Sequence, residues 1–172
     1  SVLFCDIRDF TLRSEQHSPA EMVALLNQYL PVVVTAAEQH RGTVNKFGGD
    51  STLIIYGAPH QLKESAYQAV LTALDVRAGL AQLNAALTVQ GEDPIRIGVG
   101  INTGVALAGA VGPTARQEYT VIGDTVNLAS RIEALNKVYP AYEILISGQT
   151  YQALGDRRAE FDFSDLGQVE IR

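Results

Sequence analysis

Residues 95–101 read Ile95-Arg96-Ile97-Gly98-Val99-Gly100-Ile101, and no other stretch restricts the fold as tightly. Side chains alternate across a strand, so Ile95, Ile97, Val99 and Ile101 share one face while Gly98 and Gly100 lie on the other. The β-branched face demands an apolar layer over it. The glycine face offers bare backbone, which suggests close approach by another element.

Around this strand the chain punctuates itself clearly. Residues 2–6 form an apolar run that reads as a buried strand. Ser18-Pro19-Ala20-Glu21 combines a capping box with proline at the first helical position, and Met22, Leu26, Tyr29 and Val33 then recur at helical spacing. Pro31 is expected to kink that helix. Two β-prone runs, 43–47 and 51–56, flank Gly48-Gly49 and predict a hairpin with Asp50 just after the turn. A second long helix is predicted over 63–83, and residues 103–112 suit a short β arm. Residues 119–122 read as a strand leading into a helix with Asp124 as its N-cap. A strand over 143–146, a short helix over 149–154 and a β element over 161–171 complete the chain. The order βαββαβ with extra C-terminal αβ elements predicts an α+β, ferredoxin-like (palm-type) fold, with a mostly antiparallel sheet and helices on one face.

A length of 172 residues fits one domain over 1–172, and 47% hydrophobic with 19% charged residues is too apolar for a disordered chain. The net charge of −6 argues against nucleic acid or an anionic membrane as a partner of the whole surface. Cys5 is the single cysteine, so no intrachain disulfide forms and a reducing, cytoplasmic setting is compatible. No apolar run approaches the roughly 18 to 20 residues that span a bilayer. The abrupt ends, a strand-like run from Ser1 and an alternating stretch at Arg172, lead us to expect a piece of a longer protein.

Asp6 ends an apolar strand and Asp50 adjoins the hairpin turn, a placement that suits hard divalent cations. Such ions take one or two carboxylates and draw their remaining ligands from water and phosphate. Turn-forming aspartates are the plainer alternative for either residue alone. The three histidines, His17, His40 and His60, do not fall at mutual metal-ligand spacing. Residues 104–112 are glycine-rich but carry no Walker lysine.

Three blocks carry a more specific message: Phe4-Cys5-Asp6-Ile7-Arg8-Asp9-Phe10-Thr11, Lys46-Phe47-Gly48-Gly49-Asp50, and the run Tyr119-Thr120-Val121-Ile122-Gly123-Asp124-Thr125-Val126-Asn127-Leu128-Ala129-Ser130-Arg131. In this order the chain resembles the catalytic domains of class III adenylyl and guanylyl cyclases. Carried over by position, the resemblance implies that Asp6, Asp50 and the backbone carbonyl of Ile7 hold two Mg²⁺ or Mn²⁺ ions. The backbone amides of Asp9, Phe10 and Thr11 would cradle the terminal phosphates, as successive amides in a turn can. Lys46, Thr120 and Val121 would contact the base. A lysine donates to the adenine ring nitrogen and a threonine hydroxyl can accept from the exocyclic amine, so ATP is the implied substrate. Asn127 and Arg131, four apart on one helix face, would position the ribose and neutralise charge on the α-phosphate.

The family works as a dimer with shared sites, which implies a homodimer here. Threonine at position 120, where aspartate is commoner, resembles the subclass often stimulated by bicarbonate. An upstream sensor, in some members membrane-bound, is implied for the full-length protein. The family's triphosphate-binding lysine falls beyond Arg172, so full activity is expected to need a longer chain. Three alternatives stay open at this point. One is a cyclase-like module that binds nucleotide without turnover, and another is a guanylyl cyclase. The third is a diguanylate cyclase, whose Gly-Gly-Asp hairpin is matched but whose following acid-phenylalanine pair is replaced by Ser51-Thr52.

Overall fold

The computed structural model describes residues 1–170. Its elements run β1 (Val2–Ile7), α1 (Phe10–Gln16), α2 (Pro19–Gln39), β2 (Thr43–Gly48), β3 (Ser51–Ile55), α3 (Ser65–Val89), β4 (Ile97–Asn102), β5 (Leu107–Val111), β6 (Glu118–Ile122), α4 (Asp124–Ala134), β7 (Ile144–Ile146) and α5 (Gly148–Ala153). Five strands form one sheet in the order β2-β3-β1-β4-β7, and β5 pairs with β6 as a separate two-stranded arm. The first four strands are antiparallel neighbours, while β7 joins β4 in parallel. The expected α+β, ferredoxin-like arrangement is therefore present, extended at one edge.

β1 sits in the middle of the sheet and shows why two layers are needed. Leu3, Cys5 and Ile7 join Ile97, Val99 and Ile101 in a core closed by α2 and α3 through Tyr29, Val33, Ala69, Ala73 and Val76. The Tyr29 hydroxyl lies 3.1 Å from Cys5 Sγ, which gives the buried phenol a polar partner. Val2, Leu53 and Ile55 face the other way and pack with Val121 of β6 and Ala129 of α4. Helices thus cover both faces, not one as the element order suggested. The glycines on β4 explain the difference. A Cβ on Gly100 would lie 2.2 Å from the backbone nitrogen of Glu133, so α4 can seat directly on the strand only because no side chain is there.

Several local expectations also change. α2 begins at the predicted capping box, with Ser18 and Glu21 bonding each other's backbone amides, but it runs unbroken through Pro31 to Gln39. Its packing on the sheet and α3 holds it together where propensity alone would interrupt it. An 18-residue stretch of this 21-residue helix reaches a mean hydropathy of 1.3, enough by length and composition to cross a membrane. Counting uninterrupted apolar runs missed this because polar residues such as Asn27 and Gln28 break the run without lowering the window average far. Here its apolar face, from Met22 to Ala37, is buried in the core.

In the hairpin, Gly48 pairs with Ser51, so Gly49 and Asp50 are the two loop residues. Only Gly49 has positive φ, at 74°, the pattern of a type II′ turn. Asp50 therefore lies within the turn, one residue earlier in the hairpin than predicted. Gly123, at φ 143°, takes the N-cap place of α4, and Asp124 is the first helical residue with no capping bond from its side chain. No strand forms over 161–170, and Ile171, the last residue of the predicted β element, lies outside the described residues. Phe161 and Phe163 instead stack edge-on with each other and reach Tyr67 and Tyr151. An aromatic cluster outweighs the weak alternating pattern there.

Candidate active site

β1 delivers Asp6 to the sheet face that carries α4, opposite Gly98 on the neighbouring strand. The β2–β3 turn brings Asp50 to the same place, within hydrogen-bonding contact of Asp6. Burial is the main cause that pushes the Asp6 carboxyl up to about 7. The contact with Asp50 and the repulsion from Asp50 and Glu133 add to it. Asp6 Oδ1 is buried and has no hydrogen-bond partner. A pair of carboxylates that crowd each other, with one oxygen unsatisfied, fits a cation better than it fits a structural pair. Among the described residues no group of three or more His, Cys, Asp or Glu side chains is placed to hold a metal, so further ligands would come from backbone and substrate. Glu133 lies close enough to Asp6 to disfavour its charge, and sequence reading did not single it out.

Immediately after β1 the chain turns sharply. Asp9 adopts a left-handed conformation at φ 58° and serves as N-cap of α1, a helix that sequence reading did not foresee. Its side chain makes no capping bond and pairs instead with Arg96, 2.5 Å away and exposed. The first-turn amides beginning at Phe10 and Thr11 are thus left without a side-chain acceptor, as a phosphate cradle requires.

On the same sheet face, a cavity of about 550 Å³ opens between β1, the hairpin, β6 and α4. Lys46, Val121 and Asn127 line it, with Phe4, Leu53 and Ile122 as apolar walls. Three of the predicted site residues are therefore brought together. Arg131 stands exposed one turn beyond Asn127 on α4 and does not line the cavity. Neither do Asp6, Asp50, nor the segment from Asp9 to Thr11. Within one chain, the two carboxylates and the turn after β1 therefore lie outside the cavity that Lys46, Val121 and Asn127 line, and the predicted site residues fall into two groups.

Thr120 is tied down by a neighbour that sequence reading missed. Its hydroxyl donates to Asn45 Oδ1 at 3.2 Å, while Asn45 Nδ2 donates to the Tyr119 carbonyl at 2.5 Å. A signal was present, since asparagine is poorly suited to a strand interior and marks an irregularity there.

With this geometry in hand, the likeness to known proteins is clear. The profile of the family described as Adenylate and Guanylate cyclase catalytic domain matches residues 1–172. Adenylate cyclase 1 of Rhizobium meliloti (strain 1021) is 40% identical over 148 residues, covering 86% of this chain and 22% of that protein. An uncharacterized protein of Mycobacterium tuberculosis (strain ATCC 25618 / H37Rv) is 38% identical over 157 residues, 91% of this chain and 26% of its own. The chain thus spans 22% to 26% of the length of these two curated relatives. Among solved structures, the adenylyl cyclase CyaB from P. aeruginosa superposes with a TM-score of 0.88 at 36% identity, covering 99% of this chain and 85% of that one. The guanylate cyclase domain of RhGC from Catenaria anguillulae in complex with GTP gives 0.76 at 32% identity over 90% and 81%. The chain belongs to the adenylate and guanylate cyclase catalytic domain family.

Proposed function

We propose that this domain converts ATP to 3′,5′-cyclic AMP and pyrophosphate, in sites shared between two copies of the chain. The observation that carries this reading is the convergence of Lys46, Val121 and Asn127 on one cavity, with Thr120 anchored beside them. Lys46 donates to the acceptor ring nitrogen of adenine, and the Thr120 hydroxyl accepts from its amine. A guanine ring presents a donor at that nitrogen and meets a second donor in Lys46, which disfavours GTP. Val121 walls the base. Asn127 orients the ribose so that its 3′-hydroxyl faces the α-phosphate. As the 3′-oxygen bonds to the α-phosphorus, the bond from that phosphorus to the oxygen bridging to the β-phosphate breaks, pyrophosphate leaves and the hydroxyl proton passes to water. Arg131 neutralises the charge that builds on the α-phosphate.

Asp6, Asp50 and the Ile7 carbonyl would hold two Mg²⁺ or Mn²⁺ ions, and the unsatisfied Asp6 Oδ1 supports this. Such ions supply Lewis-acid stabilisation of phosphate charge and a lowered pKa for the attacking hydroxyl. The amides of Asp9, Phe10 and Thr11 receive the terminal phosphates.

A homodimer is supported by the two groups of site residues, and by the apolar side chains left exposed around the cavity. Ile122, which lines the cavity, is 50% exposed, and Leu107, its cross-strand partner, 74%. We place the domain in the cytoplasm behind a sensor, with bicarbonate as an activator suggested by Thr120.

The direct test is cyclic AMP formation from ATP with Mn²⁺, wild type against Asp50→Ala. Asp50 sits in a surface turn, so the variant should keep its circular dichroism spectrum while activity falls to background. Near-normal turnover by a folded Asp50→Ala protein would remove Asp50 from the site.

A further inference from the structure

The β2–β3 ladder contains one residue too many. Val44 lies opposite Ile54 and Lys46 opposite Leu53, so Asn45 has no cross-strand partner and forms a β-bulge. The consequence is one of face. Ile54 belongs to the core under α2 and α3, whereas Leu53 belongs to the cluster under α4. In an uninterrupted ladder Asn45 would face Leu53 and Lys46 would face Thr52. Thr52 pairs with Cys5 and so shares the α2–α3 side. The extra residue moves Lys46 to the opposite side of the sheet, where the cavity is.

The Asn45 side chain also sets the polarity of Thr120. The Tyr119 carbonyl can only accept, so the Asn45 group facing it is Nδ2. Oδ1 is thereby turned to Thr120, and because Oδ1 can only accept, the hydroxyl proton of Thr120 must point at it. With that proton committed, Thr120 has only lone pairs left for a ligand.

We propose that Asn45 is a specificity-determining positioning residue. It puts Lys46 on the cavity face and commits Thr120 to act as an acceptor, so the site takes a purine with an amine at the 6-position and rejects one with a carbonyl there. This rests on Lys46 and Thr120 contacting the base.

The test is equilibrium binding of 3′-deoxy-ATP and 3′-deoxy-GTP, which lack the attacking hydroxyl, measured calorimetrically with Mg²⁺. Asn45→Ala frees the Thr120 proton to donate to a carbonyl, and the preference for the adenine nucleotide should fall about tenfold, the scale of one neutral hydrogen bond. Asn45→Leu gives the same reading if the alanine variant does not fold. Asn45→Asp keeps an acceptor for Thr120 and loses the donation to Tyr119, so it should retain the preference even where both nucleotides bind more weakly. In a Thr120→Val background, Asn45→Ala should leave the ratio unchanged. Equal loss of affinity for both nucleotides in the Ala, Leu and Asp variants would mark Asn45 as merely structural and overturn the inference, as would a wild type that does not distinguish the two nucleotides. A wild type that prefers 3′-deoxy-ATP but forms no cyclic AMP from ATP would instead overturn the proposed activity alone.

Discussion

The proposed base contacts are an ammonium at Lys46, where a carboxylate would favour guanine, and a hydroxyl at Thr120. These two side chains come from β2 and β6, 74 positions apart in the chain yet joined through Asn45. A pocket that hydrogen-bonds one edge of a base can reject a mismatched analogue by about 10⁴, because the wrong ligand leaves buried groups unpaired. Replacing Lys46 with Glu and Thr120 with Cys supplies an acceptor for the guanine ring hydrogen and removes the adenine match. The ratio of GTP to ATP cyclisation, measured side by side at equal Mn²⁺ and protein, should rise even if total activity drops. An unchanged ratio in an active double variant would show that these residues do not read the base.

At the scale of elements, α4 decides where Asn127 and Arg131 stand, and three contacts fix α4. Its backbone rests on Gly100, where an added Cβ would meet Glu133 N at 2.2 Å and Ala129 O at 2.5 Å. Asn102 Nδ2 donates to the Thr125 carbonyl at 2.9 Å, and Thr125 Oγ1 donates to the Val105 carbonyl at 2.6 Å. Gly100→Ala should therefore push the helix off the strand and destabilise the fold by about 3 kcal/mol, at the upper end for overpacking a core. Gly109→Ala is the control, since nothing lies within 4 Å of the added carbon there. It should shift stability by less than about 0.5 kcal/mol. Urea denaturation of both variants reads the difference, and equal midpoints would contradict the close helix–strand contact.

For the whole molecule, the proposed sharing of sites between two copies makes a quantitative demand. If Asp6 and Asp50 of one copy serve the pocket of another, then Asp6→Ala and Arg131→Ala proteins are each inactive alone. Mixed in equal amounts with free subunit exchange, half of the dimers are heterodimers, each with one intact site of two. Activity should return to about a quarter of wild type. A mixture that stays inactive while exchange is demonstrated would place the complete site within a single chain.

Much of this was legible in the chain itself. The alternating 95–101 stretch announced β4, Ser18 and Glu21 announced the start of α2, and the three residue blocks pointed to the family, because strand alternation, capping and motif spacing are local properties. The N-cap at Asp124 and the strand over 161–170 failed, and α2 continues as helix through Pro31, because tertiary packing outweighs local preference. α2 is held by the core, Gly123 takes the turn ahead of α4, and Phe161 and Phe163 prefer aromatic partners. Only the folded molecule could show that α4 lies on the opposite face from α2 and α3, that Asp6 and Asp50 touch, and that a one-residue bulge at Asn45 turns Lys46 toward the cavity. Each of these depends on which strands become neighbours and in what register, a choice made by burying both faces of the sheet at once.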